Sequence, residues 1–319
     1  MHRHLYMKGF KMKKLIGKGL VFLVAVFFIC MGLLYLSAKE PARTVLARWT
    51  GSEAFMDTNE MLPYFQRAKE PEDTTKLILG DSICRQMFAE LEPYNDDTDI
   101  LATNAALMMT GQYLLAEEYV ENHPETTDIF LVMHPMTLTR TIDTEWSYRY
   151  ALMTYVETDT FSKLDPNTIN AYRQVFGDFL VKKEVVGAIE ESPILRKLAL
   201  SYINTNKENY VQDNSFELAD QYVKKLYDLC KEREINFHFY SSPVTEYYYT
   251  DISALRVEYE GTWMSSQFPD YLNDIYYYPS EWAEDLSHFS GEYATREKLN
   301  EMISKVYGET PLQQIKISK

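Results

Sequence analysis

Ser82, Asp285 and His288 are the side chains of this sequence whose types and spacing suit a reaction. Ser82 ends the run Lys76-Leu77-Ile78-Leu79-Gly80-Asp81-Ser82, an apolar stretch closed by Gly-Asp-Ser. Asp285-Leu286-Ser287-His288 stands near the C-terminus and is followed at once by Phe289. A serine hydroxyl is a poor nucleophile until a base takes its proton. A histidine does this near neutral pH, and a carboxylate fixes the histidine tautomer and steadies the imidazolium. Side chains three apart share a face on a first helical turn, so one short segment delivers both base and orienter. The chemistry of such a set is nucleophilic acyl transfer. Each word alone is weak, since Gly-Asp-Ser is a common turn and Asp-x-x-His also starts helices. Their order joins them: one follows the first buried strand, the other precedes the last helix.

The elements that must position these residues alternate. Lys76–Leu79, Asp99–Thr103, Asp128–Met133 and Asn236–Tyr240 read as strands, with Ile275–Tyr278 as a candidate fifth. Between them Ser82–Leu91, Gly111–Asn122, Ser215–Glu234 and Gly291–Tyr307 read as helices; in the third, Leu218, Tyr222, Leu226 and Leu229 recur at helical spacing. Alternation of this kind predicts an α/β fold with a mostly parallel sheet covered on both faces. Active groups in such sheets sit beyond the C-terminal strand ends, which is where Ser82 falls. Residues 135–213 break the alternation and read as a helical insert or lid. Residues 39–75, punctuated by Pro41, Gly51, Pro63 and Pro71, read as a stalk and entry segment.

Gly19–Ala38 is twenty residues without a charge, long enough at about 1.5 Å per residue to cross a hydrocarbon core of about 30 Å. A cleaved signal peptide is the competing reading, but its apolar region runs only about 7–15 residues, and Leu36-Ser37-Ala38 is a mediocre cleavage site. Six basic residues and no acidic one occupy positions 1–18, so that end is expected to stay in the cytoplasm and the chain beyond it to lie outside. The net charge of −15, with +6 in those first 18 residues, leaves −21 on the remainder. So acidic a body argues against nucleic acid and makes an anionic polymer an awkward substrate. Three cysteines, Cys30, Cys84 and Cys230, are too few for a disulfide framework. No cluster has metal-ligand spacing and no glycine-rich phosphate loop is present, so no cofactor is expected.

With Leu77–Phe88 (LILGDSICRQMF) and Asp285–Ser290 (DLSHFS) in view, the chain resembles the SGNH/GDSL hydrolase superfamily over residues 76–134 and 215–307. The resemblance implies a three-layer α/β/α, flavodoxin-like domain over residues 76–310, with the insert inside it and a tail at 311–319. It implies Ser82 as nucleophile, His288 as general base, Asp285 as its partner, and Asp81 as a structural turn residue. Where the family has Asn-x-Gly, whose glycine N–H joins the oxyanion hole, this chain has Asn104-Ala105-Ala106, so Ala106 would donate instead. Where the family has Gly-x-Asn, it has His134-Pro135-Met136, and the asparagine donor is missing. Asn104 or His134 is then expected to substitute, or the site is completed by a partner or substrate. A membrane anchor with such a domain resembles the envelope O-acyltransferase branch, of the alginate acetylation and teichoic acid D-alanine transfer types. That branch implies a multispanning MBOAT-type partner and a polysaccharide acceptor.

Other residues carry two readings. His134 is either satisfied by local backbone or a substrate contact. His238 reads as structural, His123 as solvated, and Cys84 as a small packing residue. Tyr247–Tyr249, Tyr276–Tyr278, Trp146, Trp263 and Trp282 are either core and interface aromatics or sugar platforms, with Trp282 favoured as a platform by its nearness to Asp285. Transfer to a glycan, hydrolysis of an ester, and a non-catalytic envelope scaffold remain three distinct expectations.

Overall fold

A computed structural model describes residues 2–51, 60–88, 97–104, 107–142, 146–205 and 213–314. They divide into two compact units, Met1–Asp57 with Glu184–Tyr202 and Thr58–Lys183 with Ile203–Lys319.

The first unit contains α1 (His2–Ser37), α2 (Ala42–Thr50), α9 (Lys183–Glu191, from Glu184) and most of α10 (Pro193–Thr205). α1 starts well before the apolar stretch. Its Ile16–Ser37 portion, with a mean hydropathy of 2.7, is long and apolar enough to cross a membrane. α2 ends at Gly51, whose φ of 66° is the left-handed conformation that closes helices. The hydroxyls of Ser37 and Ser192 lie 2.9 Å apart, both buried.

The second unit is α/β, with more helix than strand. Its elements are α3 (Leu62–Lys69), β1 (Lys76–Gly80), α4 (Ser82–Phe88), β2 (Thr98–Ile100), α5 (Met108–Asn122), β3 (Asp128–Met133), α6 (Pro135–Leu138), α7 (Met153–Glu157) and α8 (Pro166–Phe176). There follow α11 (Glu217–Glu232), β4 (Asn236–Ser241), β5 (Val244–Thr245), α12 (Tyr249–Tyr259), α13 (Trp263–Gln267), β6 (Tyr277–Tyr278) and α14 (Arg296–Tyr307). A single π-helical turn, Ser147–Leu152, precedes α7. The main sheet is parallel throughout, in the order β2-β1-β3-β4. Leu77, Ile78 and Leu79 are all fully buried, the continuous apolar pattern of a strand covered on both faces. Ile78, Ile100, Phe130 and Val132 pack with α4 and α14 on one face. Leu77, Leu79, Ile129 and Leu131 alternate to the other, where α5 contacts β1 and α11 contacts β4.

Four expectations change. The candidate fifth strand is only Tyr277–Tyr278, and it pairs with β5, a two-residue strand invisible to periodicity, in a separate two-stranded sheet. The last helix begins at Arg296, because the backbone N–H groups of Tyr293 and Ala294 both turn back onto the Ser290 carbonyl. The second strand is regular only to Ile100, although Leu101 and Thr103 still donate to the Ile78 and Gly80 carbonyls. His123 is buried, stacked 3.8 Å from the Tyr119 ring, because its Nδ1 bonds the Tyr119 carbonyl at 2.9 Å and completes the helix end. The described part of residues 135–213 holds α6 to α10 with turns between them. The stretch Glu184–Tyr202 within it belongs to the first unit.

Candidate active site

Two turns and one hairpin build the site. The first turn joins β1 to α4. Gly80 is required there by close approach: a Cβ would stand 2.3 Å from the Val132 carbonyl oxygen and 2.4 Å from the Cys84 Cβ. Asp81 is buried and caps α4, its Oδ1 accepting from the N–H of Ile83 (3.1 Å) and of Cys84 (3.4 Å). Ser82 is thereby presented, half-buried, at the C-terminal end of β1. Cys84 is buried against the Leu79 carbonyl, and burial pushes its thiol well above the ordinary range, so it stays a neutral packing group. Among the described residues all three cysteines are free.

The second turn joins β3 to α6 and is tied to the first. Asp81 Oδ2 accepts from the His134 backbone N–H and from Thr137 Oγ1, each at 2.8 Å. The Met136 N–H donates to His134 Nδ1 at 3.2 Å. Nδ1 is therefore an acceptor, and the neutral ring carries its proton on Nε2. Burial, opposed by Asp81 and reinforced by His288 and Arg140, lowers His134 to about 4. The His134 Nε2 is buried and has no hydrogen-bond partner among the described residues. Its ring meets Tyr248 edge-on at 5.2 Å.

The hairpin carries Asp285 and His288. The N–H of Ser290 donates to the Trp282 carbonyl (2.8 Å), that of Glu284 donates to the His288 carbonyl (2.9 Å), and Ala283 bridges Phe289. Inside it, Asp285 Oδ1 accepts the N–H groups of Ser287 and His288, both at 2.7 Å. Asp285 Oδ2 lies 2.7 Å from His288 Nδ1, and His288 Nε2 lies 2.9 Å from Ser82 Oγ. Partial burial raises the Asp285 carboxyl, but the two backbone donors and His288 outweigh it and hold the group below the usual carboxylate range. An ionised carboxylate only accepts, so His288 Nδ1 donates to it and Nε2 is the acceptor that faces the Ser82 hydroxyl. Solvent reaches the set, with side-chain exposures of 33% for His288 and 52% for Asp285.

Several further side chains support the hairpin. Gln86, one turn after Ser82, donates to the Phe289 carbonyl (3.2 Å) and accepts the Phe289 N–H (3.0 Å), locking the hairpin to α4. Thr245 Oγ1 donates to the Leu286 carbonyl at 2.7 Å, and the Tyr278 hydroxyl donates to the Ser287 carbonyl. Tyr248 receives the Ser287 hydroxyl at 3.4 Å. Gln86 and Thr245 are not among the sequence-predicted site residues, and the spacing of Gln86 from Ser82 on one helix face is the signal that could have found it. Tyr248 and Tyr278 stand in the two tyrosine runs, where their hairpin contacts are not foreseen.

Of the other expected site residues, Asn104 follows Thr103, whose N–H bonds the Gly80 carbonyl at 3.0 Å, so Asn104 reaches the same sheet end as Ser82. Ala106 lies outside the described residues. Shortly after it, Met108 holds a φ of 57°, a strained conformation for a side chain of its size. Trp282 stands at the foot of the hairpin, stacked on Tyr293. His238 is held by Asp128 at 2.9 Å near the opposite end of the strands. Among the described residues no group of three His, Cys, Asp or Glu side chains is arranged to hold a metal ion. No protein-family model, curated protein or solved structure matches this chain.

Proposed function

We propose that this chain is a membrane-anchored serine acyltransferase of SGNH type that moves an acyl group, acetyl in the simplest case, onto an envelope polysaccharide. The observation that carries the reading is the continuous line from Asp285 through His288 to Ser82, at 2.7 and 2.9 Å. The strand order β2-β1-β3-β4, with Ser82 just past the C-terminal end of β1, supports a flavodoxin-like frame.

The steps follow from the geometry. Ser82 Oγ attacks the acyl carbonyl carbon while His288 Nε2 takes its proton. The tetrahedral intermediate collapses, the donor's leaving group departs with that proton, and acyl-Ser82 remains. An acceptor hydroxyl then gives its proton to His288 and attacks; Ser82 regains the proton as the new ester leaves. The His134 Nε2–H, buried and unspent, supplies an oxyanion donor where the family's asparagine is missing. Asn104 and the Ala106 N–H are the further donors this reading requires. The N-terminal helix anchors the chain with residues from about Lys39 outside the cytoplasm, and an MBOAT-type membrane protein passes the acyl group across. The solvent exposure of His288 and Asp285 favours a second reading, an esterase with water as acceptor.

The test uses the full chain in detergent with an activated acetyl ester. Turnover should fall at least about 10³-fold in Ser82→Ala. An added oligosaccharide should accelerate turnover and become acetylated. Release of acetate alone would favour the esterase, and equal rates in both proteins would leave only a scaffold.

A further inference from the structure

A cleft of about 290 Å³ opens beside the hairpin that carries Asp285 and His288. Its walls come from Tyr276, Trp282 and Tyr293, and from the α14 residues Lys298, Glu301 and Lys305, over a floor of buried Met302. The three rings are half-buried. Tyr276 and Trp282 rest on the core cluster and leave their remaining surface in the cleft. Trp282 and Tyr293 are stacked at 5.1 Å. Each lysine is parked on a ring, Lys298 Nζ 4.1 Å from the Tyr293 centroid and Lys305 Nζ 4.8 Å from that of Tyr276. Lys298 Nζ also donates to the Glu292 carbonyl at 3.1 Å and Lys305 Nζ to the Tyr276 hydroxyl at 3.4 Å. An ammonium has three donors and ring contacts are weak at exposed sites, so each lysine keeps donors for a ligand.

We infer that this cleft is a binding subsite for one uncharged pyranose unit of the acceptor glycan, an inference that rests on the acyltransfer reading above. The volume, at the low end for small-molecule pockets, suits a single ring rather than a chain. Aromatic surface meets the apolar C–H faces of a sugar. Lys298, Glu301 and Lys305 lie at i, i+3 and i+7 on one helix face and offer donor, acceptor, donor, the alternation that vicinal hydroxyls require. The electrostatics select against an anionic sugar. The chain's net charge is −15, and the stretch 276–305 that lines the cleft holds Glu281, Glu284, Asp285, Glu292, Glu297 and Glu301 against Arg296, Lys298 and Lys305, six acidic against three basic residues and so a net −3. The Trp282 carbonyl closes the foot of the hairpin by accepting the Ser290 N–H. A ring held here is therefore fixed to the hairpin that carries His288.

Binding is tested apart from turnover, on full-length Ser82→Ala protein in detergent, by saturation-transfer NMR with methyl glucoside, galactoside, mannoside and N-acetylglucosaminide and with the matching hexuronates. At least one neutral glycoside should bind, with a Kd that changes less than about twofold between low and high salt, as expected where no net charge is neutralised. Tyr293→Ala and Lys298→Met/Lys305→Met should each weaken it roughly tenfold or more. In the catalytically intact background the same substitutions should leave hydrolysis of the small acetyl ester unchanged. Binding by none of the panel, preference for the hexuronates, or equal binding in the variants would overturn the subsite. Loss of ester turnover in Ser82→Ala would stand regardless of that result, so the two readings fail separately.

Discussion

His134 carries the most specific expectation at the scale of single residues. Its Nδ1 is spent on the Met136 N–H, so its only free polar atom is a protonated Nε2 that burial keeps neutral. His134→Phe should lower acyl turnover by about 10²–10³-fold, the usual loss of one oxyanion donor, whereas His134→Asn, which restores an N–H donor, should recover part of it. The same residue shapes stability. Its folded value of about 4 lies below the ordinary histidine value of about 6.5, so the unfolded chain binds the proton more readily. The contribution is complete above about pH 6.5 and is lost as pH falls toward 4. It amounts to roughly 3 kcal/mol over that window. Urea midpoints at pH 7.5 and pH 4.5 should differ more in wild type than in His134→Asn; equal differences would refute the neutral buried state. Ser82, Asp285 and His288 were legible in the sequence because short words carry residue type and chain order. The role of His134 was open there, because its tautomer depends on a backbone N–H that only the β3–α6 turn supplies.

Between elements, the decisive contact is Gln86 with Phe289. It spans 203 residues, so no local pattern announces it, and it joins the helix that presents Ser82 to the hairpin that presents His288. Gln86→Leu keeps the volume but removes both bonds and leaves the Phe289 N–H and carbonyl without their side-chain partner. The expected result is a loss of about 1–3 kcal/mol of stability and a fall in kcat with KM nearly unchanged, because the hairpin loses its register on Ser82 while the substrate surfaces stay. A change confined to KM would place Gln86 in binding instead. The main strands were readable for a simpler reason: β1 and β3 are continuous apolar runs, which parallel strands buried on both faces must be. β5 and β6 were not, since a two-residue strand has no period. Residues 135–213 read as helical from their content of helix formers and aromatics, and composition reports only that faces are covered. It does not report what covers them, and so the assignment of Glu184–Tyr202 to the N-terminal unit was hidden.

For the molecule as a whole, the proposed function turns on which side of a membrane the Ser82 unit would lie. Ile16–Ser37 is long and apolar enough to span, and a span of either hand would satisfy the hydrophobic requirement. Charge breaks the tie. Arg3, Lys8, Lys11, Lys13, Lys14 and Lys18 precede the apolar stretch, against Lys39 and Arg43 just after it, and the flank richer in Lys and Arg stays inside. A C-terminal epitope on the full chain should therefore be digested by protease added to intact spheroplasts, and the protein should resist alkaline carbonate extraction with its N-terminus uncleaved. Digestion only after lysis would reverse the orientation and remove an envelope glycan from the reach of Ser82. Release by carbonate, with a new N-terminus near Lys39, would turn the anchor into a cleaved leader. That second outcome would spare the chemistry, because Ser82, His288 and Asp285 all belong to the other unit, but it would separate the protein from a membrane-embedded acyl donor. Substituting all six basic residues with glutamine then tests the cause: if charge sets the topology, the epitope should become protected in a substantial fraction of molecules while the apolar span itself is unchanged.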